Sequence, residues 1–255
     1  MPQGLAMVIF RRGNDHRKSH RPWYMFLARE EKDSGVPALF TYHLQETFAK
    51  PGCVLCRLTR ESEEQWLWNL LYEFSGDPQI HARFADSLGL CAHHAELMRM
   101  IVEKRQLVTP SGVARLYDTV SREELSRLSR PARKGVEKMD DCPLCRYRAQ
   151  VAERKASFLS RALADPTWQK ELTRSDGLCQ GHLEIVLSQA NRSIATMLRE
   201  DHAGRIEDLS HLLQELQRKQ RYDVPEELTP KEASSWREAL WRFGEMHFDK
   251  LLVKD

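Results

Sequence analysis

Long apolar runs are missing from this 255-residue chain. The longest uninterrupted one, Leu5–Phe10, falls far short of the ~20 residues that span a bilayer. Basic residues (Arg11, Arg12, Arg17, Lys18, Arg21) follow that run instead of preceding it, the reverse of a secretory leader, so the expected location is the cytoplasm. Charge of one sign is missing too: 39 Lys and Arg against 37 Asp and Glu leave a net +2, which argues against a dedicated nucleic-acid binder. With 12 Gly and 11 Pro in 255 residues, all-β and low-complexity architectures are disfavoured. There is no Gly-rich phosphate loop, no Gly-x-Ser-x-Gly and no His-Glu-x-x-His, so the common nucleotide-binding, serine-hydrolase and zinc-protease motifs are absent.

Six cysteines are present, and none is scattered. Two Cys-x-x-Cys pairs, Cys53/Cys56 and Cys142/Cys145, are each followed by Gly-Leu-Cys-x-x-His, at Gly89-Leu90-Cys91 with His94 and at Gly177-Leu178-Cys179 with His182, Cys91 lying 35 positions after Cys56 and Cys179 34 after Cys145. This is an internal repeat. A shift of 88 residues places Asp77-Pro78 on Asp165-Pro166, Phe84 on Leu172, Cys91 on Cys179 and His94 on His182; the Cys-x-x-Cys pairs need 89. The same register puts His93 on Gly181, so His94 is the expected ligand and His93 a neighbour.

Each copy reads as three helices. In the first, Leu67, Leu70, Leu71 and Phe74 recur at helical spacing. Asp77-Pro78 then supplies a capping carboxylate and a proline at the first helical position, Gly89 closes that helix, and Cys91 to His94 opens a third with Leu97, Met98 and Ile101 inside. The fold class expected is mainly α: pseudo-two-fold duplicated three-helix units, a C-terminal helical extension, and a short N-terminal β-hairpin if Leu5–Phe10 pairs with Trp23–Leu27. The divisions are a basic arm or hairpin over 1–50, metal-binding repeats over 51–107 and 140–199, a linker over 108–139 with one helix from about Gly112 to Ser129, and C-terminal helices over 200–255. In the last division Thr229-Pro230-Lys231-Glu232 reads as a capping box opening a helix with Trp236, Ala239, Leu240, Phe243 and His247.

Three thiolates and an imidazole are a known structural zinc set. The metal ligands expected are Cys53, Cys56, Cys91, His94, Cys142, Cys145, Cys179 and His182, as two Cys₃His sites. A helix of ~20 residues rises ~30 Å and a return helix of ~12 covers ~18 Å, so each second knuckle can reach its own Cys-x-x-Cys. Pairing within each copy is therefore expected, with exchange between copies as the alternative. Each filled zinc site carries −1, bringing the chain to about neutral.

Other chemistry uses the same residues. The sets also suit iron–sulfur clusters in a redox or sensing protein. Cys142-Pro143-Leu144-Cys145 resembles a dithiol motif, without the surrounding strand–motif–helix context. His94-Ala95-Glu96 and His182-Leu183-Glu184 match the His-x-Glu of zinc deaminases, but Glu two positions after His points to nearly the opposite side of a helix, and a third cysteine fills the position a catalytic zinc leaves for water. Trp66, Trp68, Trp236 and Trp241 are expected in core or helix contacts. Glu61, Glu63 and Glu64 are expected on a solvated helix face. His43, His81, His202, His211 and His247 show no usable spacing. The arm with His16, His20, Trp23 and Tyr24 is read as a solvated end or a nucleic-acid contact. No enzymatic reaction is legible, and a protein partner is expected.

The doubled pattern resembles that of an uncharacterised family of bacterial proteins, a domain of unknown function. The matching stretches are Cys142-Pro143-Leu144-Cys145-Arg146, Gly177 to His182, Arg218-Lys219-Gln220-Arg221-Tyr222, and Thr229 to Ala239 with Ser235-Trp236-Arg237. They span roughly residues 50–245. The chain departs from the family at Pro51-Gly52-Cys53-Val54 and over its first 50 residues. The resemblance implies the repeat and the helical architecture, and no reaction.

Overall fold

The computed structural model describes residues 36–104, 109–129 and 142–244. The Leu5–Phe10 and Trp23–Leu27 segments, the basic arm and His247 lie outside them. Among the described residues the protein is all helix: α1 (Ala38–Phe48), α2 (Val54–Asn69) continued by a π-helical turn (Leu70–Phe74), α3 (Pro78–Asp86), α4 (Ala92–Lys104), α5 (Pro110–Leu128), α6 (Pro143–Ala162), α7 (Pro166–Arg174), α8 (Gln180–Leu187), α9 (Arg192–Lys219) and α10 (Pro230–Gly244). None of these helices is long and apolar enough to cross a membrane.

Local chemistry accounts for the boundaries. Asp77 and Asp165 cap α3 and α7 by accepting hydrogen bonds from the amides of Gln79 and Thr167, each with proline in the first turn. Gly89 and Gly177 have φ of +90° and +77°, a region that side chains strain to enter. A Cβ on Gly177 would lie 3.0 Å from Arg205 Nε, and one on Gly89 3.1 Å from the Tyr117 ring. At the start of α10, Thr229 N–H donates to Glu232 Oε2 (2.8 Å) and Glu232 N–H to Thr229 Oγ1 (3.3 Å), a reciprocal capping box.

The centre of the structure is the pair α2 and α6, which run antiparallel. Lys155 Nζ of α6 donates to the Leu58 carbonyl near the start of α2, while the ring of Tyr147 near the start of α6 lies tilted 6.1 Å from that of Trp66 near the end of α2. α4 lies against α2, and α8 against α6. One continuous apolar core joins α1 (Phe40, Leu44, Phe48), α2 (Val54, Leu55, Leu58), α6 (Ala156, Leu159) and the α8–α9 region (Leu183, Val186, Ile194, Leu198). The sequence reading placed no helix over α1; its Phe40-Leu44-Phe48 spacing is helical but short. The helix expected in the linker is α5. It packs on α3 and on the π turn, with Gly112 close against the Leu71 carbonyl and Leu116 wholly buried.

α10 is inverted relative to ordinary amphipathic packing. It buries Glu232, Ser235 and Arg242 and exposes Trp236 (46%), Leu240 (42%) and Phe243 (54%). Trp236, expected in a core or helix contact, is therefore a surface residue, covered only in part by the Arg237 guanidinium 5.0 Å above its ring. The reversal follows from what α10 packs against: buried Arg242 donates to the carbonyls of Asp176 (3.2 Å) and Leu178 (3.4 Å), polar groups that an apolar face would leave unsatisfied. Trp66 is buried, and Trp241 packs against the core under Arg242.

Candidate metal centres

The eight cysteine and histidine side chains gather into two quartets, and each quartet takes one knuckle from each copy. Cys53 and Cys56 of the first copy meet Cys179 and His182 of the second; Cys91 and His94 of the first meet Cys142 and Cys145 of the second. The grouping is the exchanged one, and the within-copy pairing is overturned. The reason is length. α2 with its π turn carries the chain ~30 Å away from Cys53, and α3, which packs on α5, has nine residues and a rise of ~13 Å, short of the ~18 Å of a twelve-residue return. Cys91 therefore stays at the far end of α2, where antiparallel packing brings the start of α6.

In the first quartet, His182 Nδ1 lies 3.2 Å from the sulfurs of Cys56 and Cys179 and 3.6 Å from that of Cys53, and the Cys56 and Cys179 sulfurs are 3.6 Å apart. In the second, His94 Nδ1 is 3.2 Å from Cys91 Sγ, 3.4 Å from Cys142 Sγ and 3.3 Å from Cys145 Sγ, and Cys91 and Cys145 are 3.6 Å apart. A tetrahedral ion with metal–sulfur bonds near 2.3 Å and metal–nitrogen bonds near 2.0 Å sets sulfur–sulfur edges of ~3.8 Å and sulfur–nitrogen edges of ~3.5 Å. All eight donors thus suit one small ion per quartet.

The electrostatics point the same way. Contacts with the Cys179 and Cys53 sulfurs, with burial added, push the Cys56 thiol up, while contacts with the Cys53 and Cys56 sulfurs, and then with His182, hold Cys179 down. Burial and then the charge on Cys142 push Cys145 up to about 12. Burial resists ionisation of Cys142, but His94 together with backbone hydrogen bonds from Cys91, Cys145 and Leu144 outweighs it and brings that thiol down to about 6. Burial likewise disfavours charge on the imidazoles, yet Cys142 and Glu63 raise His94 to about 9, and Cys179 and Cys53 raise His182 to about 10. Three sulfurs this close cannot all ionise without a cation between them, and a divalent ion removes the conflict.

The quartets sit at helix starts. Cys53, Cys142 and Cys179 occupy the N-cap positions of α2, α6 and α8, where free amides and the positive helix end favour thiolate. They differ in burial. Cys53, Cys56, Cys179 and His182 are all buried, whereas Cys145 is exposed and Cys91 and Cys142 are half-buried. The buried centre is also strapped in. Val54 N–H donates to the Gly177 carbonyl (3.2 Å), Gly52 N–H to Asp176 Oδ2 (2.6 Å), and Arg205 to the carbonyls of Leu172, Thr173 and Ser175, beside the two Arg242 bonds. At the peripheral centre, Tyr117 of α5 accepts from the Leu90 amide at 3.4 Å.

Comparison with family models, with curated proteins and with solved structures returns no match.

Glu63 corrects the sequence reading. Expected on a solvated face, it is wholly buried, and His94 Nε2 donates to its Oε1 at 3.1 Å. Arg148 Nε lies 3.6 Å from the same oxygen. A carboxylate behind a ligating imidazole fixes the tautomer, so that Nδ1 faces the sulfurs, and raises the donor strength of the ring. The signal was present, since Cys56, Thr59, Glu63, Trp66 and Leu70 follow one buried stripe of α2. In the register of the repeat, Ala152 stands in the corresponding place and offers the buried centre no carboxylate. Glu63→Gln is expected to weaken metal binding at the peripheral centre by ~10–100-fold, with the buried centre unchanged; competition with a chelator of known affinity reads both sites. Equal weakening of both, or of neither, would remove Glu63 from that role. His93 is exposed, its ring 5.0 Å from that of His94, and it belongs to neither quartet of sulfurs and imidazole.

Proposed function

We infer that the protein is a cytoplasmic, non-catalytic interaction or adaptor scaffold whose two Cys₃His centres hold structural zinc. The observation that carries the reading is the closure of each quartet: four protein donors at tetrahedral separation leave no position for water or substrate, the arrangement of a structural site. Bound zinc would supply cross-linking, joining the start of α2 to that of α8 and the start of α4 to that of α6. An iron–sulfur redox or sensing protein is the competing reading. A polynuclear cluster gives its thiolates different irons and spreads them apart, so sulfurs 3.6 Å apart within one quartet favour a single ion. The exposed Trp236, Leu240 and Phe243 support the interaction half, because an apolar helix face turned outward over a buried polar one suits a protein partner. The same reading makes the chain a member of the doubled bacterial family it resembles, with the exchange of knuckles as the mark of a pseudo-two-fold.

Anaerobic purification followed by elemental analysis and a visible spectrum tests this. A colourless protein with two zinc per chain is the expected result. A brown protein with iron and sulfide, absorbing near ~400 nm, would replace the structural-zinc reading with the redox one.

A further inference from the structure

The two quartets have the same donors and opposite surroundings. The buried one lies inside the apolar core, with the Asp176–Leu178 approach to Cys179 bound by Arg242, and every donor residue in it is buried. The peripheral one presents an exposed Cys145, whose sulfur lies 3.6 Å from that of half-buried Cys91. Thiolates react where they are both ionised and accessible. Ligation ionises all six cysteines, and only the peripheral set is also open to solvent.

We propose that the Cys91–Cys145 pair of the peripheral centre is the thiol-modification site of this protein, oxidised to a disulfide by hydroperoxides and discharging that centre's ion while the buried centre keeps its own. The Cys145 thiolate attacks the hydroperoxide, the O–O bond breaks, and one oxygen stays on sulfur as sulfenic acid while the other leaves as alkoxide and takes a proton from water. The Cys91 thiolate then attacks that sulfur, a disulfide forms, and hydroxide leaves and is protonated. Two thiolates lose two electrons, and the hydroperoxide gains them. Closing the pair requires the sulfurs to move from 3.6 Å to ~2.05 Å. Two donors, Cys142 and His94, remain, too few to hold an ion against a chelator. Since Cys91 directly precedes α4 and Cys145 lies in the first turn of α6, the disulfide keeps those two helix starts joined while the ion is lost.

This inference concerns the order of reaction and rests on the ion-binding reading, which is checked first by metal analysis of the untreated protein. The full chain is then treated with hydrogen peroxide in the presence of a chromogenic zinc chelator, and disulfides are mapped by peptide mass spectrometry. The expected result is release of one equivalent together with a Cys91–Cys145 bridge, the second equivalent leaving at least ~10-fold more slowly because buried thiolates react only through local opening. In a parallel experiment without substitutions, limiting N-ethylmaleimide labels Cys145 first. Simultaneous release of both equivalents, or first modification at Cys53, Cys56 or Cys179, would overturn the proposal whatever metal is found. Protein purified without any metal would sink the structural-zinc reading, while the order of labelling would still decide this one.

Discussion

The double variant Cys56→Ser/His182→Ala is expected to keep one equivalent of metal, and Cys56→Ser/His94→Ala to keep none. Each single substitution removes one donor of four and should cost one equivalent. The doubles separate the two pairing schemes because Cys56 shares a quartet with His182 and not with His94. Within-copy pairing would reverse the two results. His93→Ala, outside both quartets, should retain both equivalents. Elemental analysis of gel-filtered protein prepared in excess zinc is sufficient. The outcome also tests the antiparallel α2–α6 arrangement, since the exchange of knuckles depends on α2 carrying Cys91 to the end where α6 begins.

Cys179→Ser is expected to broaden the unfolding transition and lower the melting temperature much further than Cys145→Ser. Apparent binding free energies of structural zinc run to ~10–16 kcal/mol, as large as the ~5–15 kcal/mol by which a typical domain is stable. Where the ion sits decides how that loss is distributed. Cys53, Cys56 and Cys179 belong to the main apolar core beside Leu44, Leu55, Leu159 and Val186. Loss of the buried ion therefore leaves unpaired thiols in the core and releases the starts of α2 and α8 together. The peripheral centre lies beyond that core, where α4 is still held on α2 by Leu97, Met98 and Ile101 and α5 still packs on α3. Thermal melts followed by circular dichroism, with near-ultraviolet signal as a report on packing, distinguish the two variants. A Cys179→Ser protein that melted as sharply as the wild type at a similar temperature would show that the buried centre does not hold the fold together.

Much of this architecture was legible in the chain because the signals were local. The Asp-Pro starts of α3 and α7, the Thr229–Glu232 capping box, and the glycines ahead of Cys91 and Cys179 each depend on backbone geometry within a few residues. The repeat identified the eight donor residues through their types and spacing. It also separated His94 from His93, since only one of two adjacent imidazoles falls in register with His182. Glu63 was misread because three acidic residues in four suggested a wet face, although its spacing from Cys56, Thr59 and Trp66 placed it inside.

Donor identity was thus contained in the order of residues, because ligand chemistry and helix capping act over one or two turns. Which donors share an ion was not. That depends on which end of α2 the second knuckle stays at and on the direction in which α2 and α6 pack, quantities that exist only once distant segments have met. The same packing made one centre part of the core and left the other at the surface, an inequality between two near-identical motifs that their own residues do not encode.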